Sequence, residues 1–115
     1  MDHYAVLISG DTSVEELRAL IAPITPGTPR TADYGCTFSP GPYDINDAEL
    51  DGIYYVDDFG LPLSRYRFEV STPIRDGLRW SKQVFELLSR ETTLDLLCLT
   101  NSQYVEGERT MSTAA

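Results

Sequence analysis

Apolar and polar positions change period along the chain, and the changes mark out its elements. HYAVLIS, His3–Ser9, is a short run of strand formers that closes on a Gly-Asp-Thr-Ser turn, so it predicts a first strand. In TSVEELRALIAPI the period becomes helical: Val14, Leu17, Leu20, Ile21 and Ile24 recur on one face. Thr12 with Glu15, and Ser13 with Glu16, fit the capping-box spacing, in which the hydroxyl accepts from a free backbone N–H. Pro23 has no N–H to donate and ends or kinks this helix near Ala22.

From Pro26 to Gly52 the periodicity is lost, and five of the seven prolines fall between Pro23 and Pro42. A short strand over DYGCTF, with the remainder as a surface loop, is the expected arrangement. GIYYV (52–56) reads as a strand, DDFGLPL as a turn around Gly60 and Pro62, and SRYRFEVS as a second strand, the two forming a hairpin. Strict alternation puts Arg65, Arg67 and Glu69 on one face of that second strand and Tyr66, Phe68 and Val70 on the other. DGLRWSKQVFELLSRET predicts the second helix, with Leu78, Trp80, Val84, Phe85 and Leu88 inward. Lys82–Glu86 and Glu86–Arg90 lie at i,i+4 spacing outside. TLDLLCLT is a nearly continuous apolar strand of the kind found mid-sheet, and NSQYVEGE adds a turn and an edge strand.

The order β-α-(β)-β-β-α-β predicts an α+β fold: a single sheet of four to five strands, largely antiparallel, with two helices on one face, roughly ferredoxin-like (βαββαβ). Residues 1–108 form one domain in this reading, and 109–115 a frayed tail.

Charge sharpens the picture. Eighteen acidic residues against nine basic give a net charge of -9. Such a field repels phosphates and anionic lipid and attracts basic partners, so nucleic acid and membrane are discounted as ligands. The N-terminal apolar run is too short for a signal peptide or a membrane span. Cys36 and Cys98 lie far apart with no CxxC, and Cys98 sits in an apolar run, which fits reduced thiols and a cytoplasmic location.

Catalytic chemistry finds little footing. His3 is the only histidine, and no phosphate loop, nucleophile elbow or HExxH motif occurs. DAELDGIYYVDD, Asp47–Asp58, echoes a calcium loop, but Glu49 at position three, the short Asp58 at position twelve and the lack of flanking helices favour a solvated acidic loop. Asp57 and Asp58 fall on opposite sides of an extended chain and cannot easily share a site. No metal and no cofactor are expected, and the chain is expected not to be an enzyme.

Recognition remains. Between Arg30 and Arg65 stand seven carboxylates and no Lys or Arg. Tyrosines interleave them, and tyrosine supplies contact area at low entropic cost. The expected partner-binding residues are Asp33, Tyr34, Tyr43, Asp44, Asp47, Glu49, Asp51, Tyr54, Asp57 and Asp58. Singly, each tyrosine is better explained as a residue capping the core edge with its hydroxyl in water.

The opening strand HYAVLIS, the capped helix TSVEELRALI, a central pair of strands and the closing SKQVFELLSRETTLDLLCLTNSQYVEGE together resemble small α/β immunity proteins of bacterial contact-dependent inhibition and related polymorphic toxin systems. The likeness is in element order, length and charge over about residues 3–108. It implies a protein that binds and neutralises a basic, nuclease-type toxin domain. A phage or mobile-element inhibitor of a host nuclease would share these features. The alternatives of a different class are a small-molecule or metal-binding regulatory domain, or an enzyme using carboxylates alone.

Overall fold

A computed structural model describes residues 2–52, 56–58 and 60–111. Its centre is a seven-stranded sheet in the order β2-β3-β4-β5-β1-β6-β7. The strands are β1 (Tyr4–Ser9), β2 (Thr28–Ala32), β3 (Gly35–Ser39), β4 (Tyr43–Asp47), β5 (Phe68–Thr72), β6 (Asp95–Thr100) and β7 (Tyr104–Arg109). Three α-helices accompany them: α1 (Val14–Ile21), the single-turn α2 (Ala48–Asp51) and α3 (Gly77–Glu91). Every ladder is antiparallel.

This overturns the expected four- to five-stranded, two-helix, ferredoxin-like sheet. The proline-rich segment, expected to be mostly loop, is a three-stranded meander, β2-β3-β4. Pro29 is tolerated because β2 is an edge strand, where a missing N–H can face solvent. Gly35 opens β3 at φ +147, directly against the carbonyl of Ile45, where a Cβ would not fit. The strand expected over 52–56, as hairpin partner of 64–71, falls mostly on residues outside those described. Gly52 is the left-handed C-cap of α2 and Val56 lies outside any strand, while 53–55 fall outside the described residues. β5 pairs with β4 and β1.

The helices form where capping and periodicity agree. Ser13 Oγ accepts from Glu16 N at 3.1 Å to start α1. Pro23 falls in a 3-10 turn, Ala22–Ile24, that follows α1. α1 and α3 pack on one face of the sheet. Val14, Leu17, Ile21, Trp80, Val84 and Leu88 meet Val6, Ile8, Phe38, Ile45, Phe68, Val70, Leu96 and Cys98 in the main core.

The opposite face has a second, smaller apolar cluster. Ala5 and Leu7 of β1 and Leu97 and Leu99 of β6 lie under Leu63 and Tyr66. Tyr66 is therefore across the sheet from Phe68 and Val70, not beside them. Alternation fails there because Leu63–Arg65 is a 3-10 turn and the strand begins only at Phe68.

At the far edge Leu99 pairs with Val105 and Cys98 with Gly107, so Glu106 is an extra residue that bulges β7. Arg109, assigned to the tail by sequence, ends β7 and donates to Leu94 O, Ser89 O and Thr92 Oγ1 around the C-terminal end of α3. Met111 N donates to Asp95 Oδ1 at 2.6 Å, and 112–115 lie outside the described residues. No helix among the described residues is long and apolar enough to cross a membrane.

Candidate protein-binding surface

The sequence-predicted residues separate into groups with different work. Tyr43 turns to the helical side, its ring edge-on to Trp80 at 4.7 Å and 66°. It finishes the core. Asp47 is buried, accepts from Glu49 N at 3.0 Å as the N-cap of α2, and pairs in bidentate fashion with Arg67. Nε and Nη2 of Arg67 each reach an Asp47 oxygen, and Nη2 also approaches Glu49 Oε2 at 3.1 Å. The Arg67 hydrogen bonds hold the Asp47 carboxyl below its ordinary range, against the opposing effect of burial. The Arg67 guanidinium thus takes both Asp47 oxygens and one of Glu49, the first and third positions of the Asp47–Asp58 segment.

Tyr34 and Asp44 lie on the other side of the sheet, where the tyrosine hydroxyl donates to Asp44 Oδ1 at 2.6 Å. Burial and the neighbouring carboxylate both raise the Tyr34 pKa. Asp33 is exposed in the β2–β3 turn. Among the described residues no cation pairs with Asp33 or Asp44.

Asp57 accepts from Ser64 N at 2.9 Å and from Ser64 Oγ at 2.6 Å, which hold its pKa down. Asp58 bridges to Leu61 through its backbone. Tyr54 lies outside the described residues.

The remaining exposed acidic residues of the predicted set lie close in sequence, on α2 and on either side of 53–55. Glu49, Asp57 and Asp58 are exposed and Asp51 half-exposed. Among them stand Leu50 and Val56, 59% and 78% exposed. Sequence pattern did not single these two out, because a lone apolar residue in an acidic loop carries no period. They are the most exposed large apolar side chains among the described residues.

A second grouping was equally invisible in sequence. His3, set aside at the terminus, reaches Glu69 of β5, Nε2 to Oε2 at 3.0 Å. Asn101 fixes the backbone beneath it, accepting from His3 N at 2.8 Å and donating its own N–H to His3 O at 2.7 Å. The hydrogen bond to Glu69 raises the imidazole pKa, partly offset by burial. The pair ties the residue before β1 to β5. Both cysteines are buried with pKa values raised by burial, which keeps them protonated and unreactive.

No family model, curated protein or solved structure matches this chain.

Proposed function

We propose that this chain is an acidic protein-binding module that neutralises a basic, nuclease-type toxin domain in the cytoplasm, in the manner of the immunity proteins it resembles. The observation that carries the reading is the exposure of Leu50 and Val56, 59% and 78%, in the same stretch of sequence as Glu49, Asp51, Asp57 and Asp58. Apolar side chains left in water at such a site are anchors for burial by a partner, and the carboxylates around them select one of positive charge. Proteins that cut nucleic acid present basic clefts, and the net charge of -9 steers them to this chain from a distance. The work is occlusion, not turnover.

The test is affinity capture from the source organism, identification of the captured protein, and binding kinetics against salt. A basic partner should associate more slowly as salt rises, because steering is screened over about 8–10 Å at physiological ionic strength. Glu49→Gln with Asp58→Asn should lower the on-rate, and Leu50→Ser with Val56→Ser should raise the off-rate. Capture of no basic protein, or binding indifferent to both pairs of changes, would remove the reading. A small anion retained by the purified protein would favour the regulatory-domain alternative.

A further inference from the structure

The backbone N–H groups of Leu61–Tyr66 bond within the segment or to Asp57 and Asp58 just before it. Leu61 N donates to Asp58 O, Leu63 N to Leu61 O, Ser64 N to Asp57 Oδ1, Arg65 N to Pro62 O and Tyr66 N to Leu63 O. No acceptor in this set belongs to the sheet. The segment docks through side chains instead: Leu63 and Tyr66 cover Ala5, Leu7, Leu97 and Leu99, and Arg65 pairs with Asp95 of β6.

One of those side chains docks at a cost. Tyr66 is 1% exposed, yet its hydroxyl has no hydrogen-bond partner among the described residues. A buried hydroxyl without a partner forfeits its hydration and gains nothing in return. The ring favours the docked state and the hydroxyl opposes it.

We propose that Leu61–Tyr66 is a strap that undocks from the sheet as a unit while the main core stays folded, and that its docking fixes where Asp57 and Asp58 are presented. None of these bonds is made to the sheet, so opening exposes the small cluster and breaks the Arg65–Asp95 pair. Turns this short do not hold their own hydrogen bonds once off their support, and the amides then exchange. The coupling runs through Ser64, held by Asp57, and through the Asp58–Leu61 bridge. Only the consequence for partner binding rests on the function proposed above; the opening itself does not.

Hydrogen exchange on the protein alone tests it. The amides of Leu61, Leu63, Ser64, Arg65 and Tyr66 should exchange by a local opening, faster than those of β1 and β6. Tyr66→Phe keeps the ring and removes the unmet hydroxyl, so it should slow strap exchange about tenfold and leave β1 unchanged. Leu63→Ala should speed strap exchange without altering α3. Strap amides as protected as those of β1, or a Tyr66→Phe protein whose strap exchanges no more slowly, would overturn the proposal. With a basic partner in hand, Tyr66→Phe should tighten binding; tighter strap docking without any change in affinity would sever strap from surface while leaving the surface intact.

Discussion

Arg67 holds Asp47 by both carboxylate oxygens, at 2.9 Å each, from the residue before β5 to the last residue of β4. The pair joins two neighbouring strands just where α2 begins. Asp47→Asn keeps the cap but loses the charge-assisted bonds, and should cost about 1–3 kcal/mol in urea unfolding. The folded-state pKa of Asp47 is depressed below 3.8, so its stabilisation is complete above that value and is lost as pH falls through the folded pKa. The variant should therefore show a shallower loss of stability at acid pH than the wild type. Millimolar calcium should leave the melting temperature of the wild type unchanged, because Arg67 already engages both oxygens of Asp47 and one of Glu49.

That contact also shows what the sequence could and could not disclose. α1, α3, β1 and β6 were legible because a cap, a helical period or an unbroken apolar run is local. The strand Thr28–Ala32 was not, since TPRTA at an open edge has no apolar face to betray it. Tyr66 was put on the wrong face because one 3-10 turn resets an alternation without changing composition. Arg67–Asp47 and His3–Glu69 span 20 and 66 residues, and only the strand order makes them neighbours. The acidic segment was visible as charge, but the division between Asp47, which is structural, and Glu49, which is exposed, was not.

His3 gives a second pH prediction, of opposite sign. Its pKa is raised above 6.5 by the hydrogen bond to Glu69. The stabilisation is complete below 6.5 and is lost as pH rises through the folded value. The imidazole titration followed by NMR should have its midpoint above 6.5, and Glu69→Gln should bring it down. A midpoint at or below 6.5 in the wild type would mean that the pair does not form.

The two apolar clusters should differ in their response to truncation. Leu88→Ala empties a fully buried site between α3 and the sheet, and about 2–5 kcal/mol should be lost in urea unfolding. Leu97→Ala opens the smaller cluster, where the strap can settle into part of the space, so its cost should fall at the lower end of that range. A neutral Leu88→Ala would contradict the packing of α3.

Thr25 links three parts of the main core. Its Oγ1 donates to Ile21 O at 2.7 Å and accepts from Trp80 Nε1 at 3.1 Å, out of reach of solvent. Thr25→Val preserves shape and strands both partners, for a loss of about 1–3 kcal/mol. Trp80 is the sole tryptophan, so its emission should report the lost hydrogen bond directly.

β1 lies between β5 and β6, so this strand finds both its neighbours more than 55 residues further along the chain. On the ribosome, Tyr4–Ser9 must therefore wait, apolar and unpaired, until Phe68–Thr72 has emerged, and its other edge stays open until Asp95–Thr100 follows. The β2-β3-β4 meander can form earlier, but it has no finished sheet to join. Such long-range closure is slow, and during synthesis the nascent chain is a client for whatever shields exposed strands.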